Sequence, residues 1–235
     1  MPSGREADAE VAGVFIGHYG AALAGKRIAP KVSLGTLFPG AQLPDLIWPI
    51  LLLLGVERVR IEPGLMAAST LDFQHYPYTH SLLGTIVQGV VLGLVYLALR
   101  GSRRGALVLG VAPLSHWFLD LIVHRPDLPL IPGLSQFVGF GLWNSLPGTL
   151  VVEFGLYAAG LWAYLRGTSA RDRIGGYALW ALVILLAVFY LASVLGPPPT
   201  NERAIAWAGL LGGWVIVLCG YWADAHRQMK AGAVR

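Results

Sequence analysis

Residues 106–124 read ALVLGVAPLSHWFLDLIVH, an apolar run without Lys or Arg that nonetheless carries His116, Asp120 and His124. About 20 such residues suffice to cross the hydrocarbon of a bilayer. A charge in that medium costs roughly 2.5 to 3.5 kcal/mol on insertion scales, so an acid with no basic neighbour in its own run marks a site. On an α-helix residues four apart advance about 400°, which puts the three polar side chains within a stripe about 80° wide. The one stretch therefore predicts a membrane helix and a ligand-bearing face upon it.

The rest of the 235-residue chain agrees with that medium. Hydrophobic residues make up 55% and charged residues only 13%, with a mean hydropathy of +0.61, leaving a water-soluble domain nowhere to put its apolar surface. The single cysteine, Cys219, can form no internal disulfide and says nothing about redox compartment. Charge punctuation divides the chain into roughly seven apolar segments, at about 11–25, 34–55, 79–99, 106–124, 143–165, 174–195 and 204–223. The expected fold is an all-α polytopic helical bundle forming one integral membrane domain over 1–235. Its metal-site half covers about 11–155, and accessory helices cover about 174–223. The first segment is short enough to dip or tilt. The second carries Pro39, Pro44 and Pro49, each lacking a backbone donor, and is expected to be kinked or unwound. Trp48, Trp143, Trp207 and Trp222 read as interface anchors, and Gly89 with Gly93 as a close helix contact.

Basic residues indicate orientation. Of the 17, twelve cluster at Lys26, Arg27, Lys31; Arg100, Arg103, Arg104; Arg166, Arg171, Arg173; and Arg227, Lys230, Arg235, all on one side if every segment spans. Arg5, Arg58, Arg60, Arg125 and Arg203 fall on the other. This predicts a cytoplasmic C-terminus. The net charge of +4 then reflects topology and attraction to an anionic leaflet, with no nucleic-acid partner implied. The long connections at about 56–78 and 125–142 lie on the external side and adjoin histidine-bearing helix ends, where loops commonly cover a site.

Two more acids share the character of Asp120: Asp45, directly after Pro44, and Glu153, about ten residues into its span. His18 lies between glycines in the first segment. His80 follows Tyr78-Thr79, with Thr79 the expected N-cap and His80 in the first turn of the third span; His75 stands just upstream. Carboxylates and imidazoles without a basic partner are the donor set of a divalent metal, zinc foremost. The candidate ligands are His18, Asp45, His80, His116, Asp120, His124 and Glu153, for up to two or three ions. Glu153 is a deep ligand or a general base, and its structural alternative is a protonated carboxyl hydrogen-bonded to a neighbouring helix.

His18, then Leu43-Pro44-Asp45, then Tyr78-Thr79-His80-Ser81, then His116-x-x-x-Asp120 resembles the LexA-binding family of inner-membrane-associated metal-dependent hydrolases, over about residues 11–125. The same order, followed by a Glu, is more distantly similar to the metal ligands of zinc-dependent phospholipase C. The resemblance implies that His18, Asp45, His80, His116 and Asp120 are metal ligands, with Asp120 the bridge and Glu153 the later acid, in a bacterial inner membrane. The chain departs from the hydrolase pattern after Asp45, where Leu46-Ile47-Trp48 replace an expected second acid.

The expected function is a membrane-embedded hydrolase whose metal-activated water attacks a phosphoester of a lipid or lipid-linked substrate, the site facing the outer side, with Glu153 and Asp120 carrying the catalysis. Two other classes use the same residues. A cation or proton transporter would pass its cargo through the cluster, and a non-catalytic scaffold would hold a structural metal.

Overall fold

The computed structural model describes residues 15–231. Residues 11–14 of the first apolar segment, and the basic residues Arg5 and Arg235, lie outside the described residues. In chain order the elements are α1 (Ile16–Ile28), α2 (Leu34–Ala41), α3 (Leu43–Leu53), β1 (Arg58–Ile61), β2 (Leu71–His75), α4 (Pro77–His80), α5 (Leu82–Arg100), α6 (Arg103–Val123), β3 (Leu128–Pro129), β4 (Phe137–Val138), α7 (Leu146–Gly167), β5 (Thr168–Ala170), α8 (Arg173–Leu195), α9 (Glu202–Ala225) and β6 (Arg227–Met229). A 3-10 turn, Leu142–Asn144, precedes α7. The molecule is a helical membrane bundle: α5 to α9 are each long and apolar enough to cross a bilayer, and α2 with α3, bent by 59° at their break, are together long and apolar enough for a broken span or a re-entrant loop. Among the described residues α1 is too short to cross alone, at 13 residues, or about 20 Å at the helical rise. Instead of a lipid-facing span it is an internal helix, with His18, Tyr19 and Leu23 all buried.

Each long helix starts where a short polar side chain can satisfy an orphan amide. Ser81, Ser102, Ser145, Asp172 and Asn201 accept from the amides of Gly84, Gly105, Gly148, Gly175 and Ala204. The third span thus begins later than its sequence suggests. Ser81 caps it, not Thr79, and Thr79 and His80 belong to the separate turn α4. That shift moves His80 off the long helix onto a buried corner that faces α3.

Close approaches between small residues fix the bundle around the site. A Cβ on Gly20 would lie 2.5 Å from the Leu156 carbonyl oxygen, and one on Gly160 would overlap the Gly20 backbone. α1 and α7 therefore pack almost backbone to backbone. The Gly89 and Gly93 contact is also present: Cβ atoms there would strike the Gly110 and Ala106 carbonyls of α6.

Two hydrophobic cores lie along the bundle. One, built on Leu23, Phe38, Leu109, Tyr164 and Leu182, fills its middle. The other, with Trp48, Val59, Phe73, Trp117 and Trp143, lies under the antiparallel hairpins β1–β2 and β3–β4 at one end. Trp48 and Trp143 are consequently core residues, 6% and 0% exposed, whereas Trp207 and Trp222 lie at the surface. The long connections are ordered hairpins. At the opposite end β5 and β6 pair antiparallel as a clasp, beside the termini that carry Arg27, Arg166 and Arg173.

Candidate metal centre

The break between α2 and α3 sets the first two donors. Pro44 has no N–H, and the helix restarts after Gln42. The Ala41 carbonyl, at the end of α2, accepts from His116 Nδ1 at 2.9 Å. A neutral imidazole that donates through Nδ1 has its lone pair on Nε2. His116 Nε2 then faces the carboxylates, 3.2 Å from Asp120 Oδ2 and 3.8 Å from Asp45 Oδ1. His80 Nε2, delivered by α4, stands 3.2 Å from Asp45 Oδ1 and 3.9 Å from Asp120 Oδ2. Four donors from three parts of the chain converge, and among the described residues no Lys or Arg is paired with either acid.

The second oxygen of Asp120 points elsewhere: Oδ1 lies 3.2 Å from Nε2 of His18 on α1. Glu153 reaches the same neighbourhood from α7, its Oε2 accepting from the Gly17 amide at 2.8 Å. A side chain at Gly17 would crowd that carboxylate, the added Cβ lying 3.1 Å from Oε2. Geometrically, His18, His116 and Asp120 form one potential three-donor group and Asp45, His80 and His116 another. Glu153 belongs to neither of these groups, and its carboxylate is held by the backbone next to His18.

These residues fit a divalent ion. Two ligands about 2.0 Å from a tetrahedral centre are about 3.3 Å apart; the histidine–carboxylate pairs here fall between 3.2 and 3.9 Å, and all donors of each group lie within 4.8 Å of one another. His18 Nε2, His116 Nε2 and Asp120 Oδ2 are buried without a hydrogen bond, although buried polar atoms are normally paired. Unpaired nitrogen and oxygen atoms aimed at one another are a donor arrangement that a divalent ion could satisfy.

His124 is different. It is the C-cap of α6, which ends at Val123; with φ −63° and its amide bonded to the Asp120 carbonyl its side chain still leaves on the predicted stripe, and ψ 143° diverts only the chain beyond. Its Nδ1 lies 3.0 Å from Asp127 Oδ1 and 3.3 Å from the Tyr76 hydroxyl. It is in neither three-donor group. Around it Arg125 pairs with Asp72 and Asp127, a salt-bridged rim under β1–β2. His75, at the end of β2, is partly exposed and stacks edge-on with Tyr78, outside both groups.

The site is open on one side. A cavity of about 350 Å³ is lined by Asp45, His80, Asp120 and His124 among its polar residues and by Trp48, Phe189, Leu211 and Val215 among its apolar ones. Leu211 and Val215 are 65% and 45% exposed on α9, so the cavity emerges on a flank of the bundle.

Sequence reasoning missed two groups. Glu57, fully buried beyond α3, accepts from the amides of Tyr78 and Thr79 and from the Thr79 hydroxyl. At the other end Lys26 is buried against Asp224 at 2.7 Å, and Tyr164 donates to the same carboxylate. A lone Glu beside Arg58, and a Lys beside Arg27, look in sequence like ordinary loop charges. Comparison of the chain with protein-family models, with curated proteins and with solved structures finds no match.

Proposed function

We propose that the chain is a membrane-embedded, divalent-metal-dependent hydrolase, zinc being the favoured ion, acting on a phosphoester of a lipid or lipid-linked substrate. The observation that carries this reading is the convergence of His80, His116, Asp45 and Asp120, with Asp45, His80 and Asp120 lining a largely apolar cavity. The kinship suggested by the order of motifs, with the LexA-binding hydrolases and more distantly with zinc-dependent phospholipase C, is part of the proposal. When bound, the ion supplies Lewis acidity, lowering the pKa of water and stabilising charge that develops on a phosphoryl oxygen. The chain's own contributions are separable. His116 and His80 hold neutral donors in place, Asp120 spans between the His18 side and the His80–His116 side, and Asp45 faces the cavity. Asp45 has 24% of its side chain exposed, which leaves the approach to the donors open, as a reaction centre requires and a closed structural metal does not. Glu153 is assigned as the proton acceptor or deep ligand on the His18 side.

The transporter alternative needs a polar path to both faces. On the clasp side of His18, α1 buries Tyr19, Ala22 and Leu23 before reaching Lys26, an apolar plug that favours the hydrolase. Elemental analysis of the purified protein, with cleavage of phosphatidylglycerol and ion flux measured in the same proteoliposomes, tests the choice. A retained divalent ion and cleavage that stops on chelation are expected. Flux without cleavage, or a stable metal-free protein, would sink the proposal.

A further inference from the structure

We propose that Glu57 is a positioning residue for the metal centre, acting through Thr79 to fix the tautomer of His80. Glu57 touches none of the donor atoms. Its carboxylate is fully buried and takes three hydrogen bonds, from the Tyr78 amide at 2.8 Å, the Thr79 amide at 3.0 Å and the Thr79 hydroxyl at 2.6 Å. An ionised carboxylate can only accept. The single hydroxyl proton of Thr79 is therefore committed to Glu57. Thr79 Oγ1 also lies 2.7 Å from His80 Nδ1, and having spent its proton it can only accept there. Nδ1 must then carry a hydrogen, and in the neutral ring the lone pair falls on Nε2, the atom 3.2 Å from Asp45.

The direction of each bond follows from the acceptor oxygens at the far end of the chain. Histidine ligands commonly owe their orientation to such an outer partner, and loss of one typically costs about 10- to 100-fold in metal affinity. Here a hydroxyl is interposed between carboxylate and ring. Glu57 follows α3, which carries Asp45, while Thr79 and His80 sit on α4. The relay thus also ties the two donors of one edge of the site to a common anchor. A neutral amide at position 57 would remove the commitment: it could donate to Thr79, whose proton would then turn to His80 Nδ1 and move the ring hydrogen to Nε2.

The effect on affinity rests on the metal reading above, whereas the tautomer does not, and the test uses both. In ¹⁵N spectra of histidine-labelled, chelator-treated full-length protein, the His80 signal is identified as the one lost in His80→Asn. Wild type is expected to carry a hydrogen on Nδ1, with or without a second on the Asp45-facing Nε2, and Glu57→Gln to lose it and keep only Nε2–H. Competition with a chromophoric chelator for Zn²⁺ should show affinity reduced about 10- to 100-fold in Glu57→Gln and Thr79→Val, with Thr79→Ser close to wild type. An unchanged His80 tautomer in Glu57→Gln overturns the relay, and so does a Thr79→Ser protein as weak as Thr79→Val, because packing would then be the cause. A wild type that binds no Zn²⁺ but shows the tautomer shift leaves the relay standing and removes the hydrolase proposal.

Discussion

Asp120 offers each of its oxygens to a different partner, Oδ1 to His18 and Oδ2 to His116 and His80. Asp120→Asn keeps the shape but replaces one acceptor by a donor aimed at a lone pair. The variant is expected to lose most of its bound ion by elemental analysis. His124→Gln should retain it, since the His124 ring is engaged with Asp127 and Tyr76 outside the donor groups. Equal loss in both would return His124 to the ligand set. For Glu153, substitution by Gln preserves an acceptor for the Gly17 amide while removing the charge. Turnover of a phosphoester should fall about 100-fold or more, with little change in thermal stability; unchanged turnover would identify a structural carboxyl. Five of the convergent residues were legible in the sequence, because an apolar run rarely tolerates His and Asp without a basic partner unless they hold something. Glu57 was not, because its partners are backbone amides and a Thr that only folding brings to it. The helical stripe does reach His124, but its ring is taken up by Asp127 and Tyr76, partners that periodicity does not record.

At the level of elements, α1 and α7 are held so close that the relative height of His18 and Glu153 is fixed by Gly20 and Gly160. Gly20→Leu must force the helices apart, at a cost of about 1–3 kcal/mol or more for overpacking. Its melting temperature in detergent and its metal content should fall together, whereas Gly176→Ala, inside α8 where a Cβ meets nothing, should lower neither. The clasp of β5 and β6 carries a pH dependence. A hydrogen bond from His226, joined by the Gly175 amide, holds the Asp172 carboxyl below its ordinary range. Its contribution is present above the ordinary aspartate range and lost as pH falls through the lowered folded value. Amide exchange at 168–170 and 227–229 should therefore accelerate selectively at acidic pH, and Asp172→Asn should make exchange there independent of pH after correction for the intrinsic rate. The helices, and the break in the proline-bearing segment, were readable from hydropathy and from Pro44. The hairpins were not, because their strands are short and draw their stability from Trp48, Trp117 and Trp143, far away in sequence.

For the whole molecule, the basic termini at Arg27, Arg166, Arg171 and Arg227 gather at the clasp end, opposite the hairpins and the site. By the positive-inside tendency the clasp end is expected in the cytoplasm. In a Cys219→Ala background, Ala67→Cys and Ser135→Cys should react with an impermeant maleimide in intact cells, and Ala170→Cys should react only after lysis. The reverse pattern would put the site on the cytoplasmic side. The cavity that leads from Asp45 to the exposed flank of α9 has a kinetic consequence under the proposed lipid reaction. A substrate entering from the flank is already dissolved in the bilayer, so encounter is a two-dimensional search. The rate should saturate with the mole fraction of substrate among the surrounding lipids. Adding more vesicles of the same composition should leave it unchanged, while diluting the substrate with inert phospholipid at constant bulk concentration should slow it.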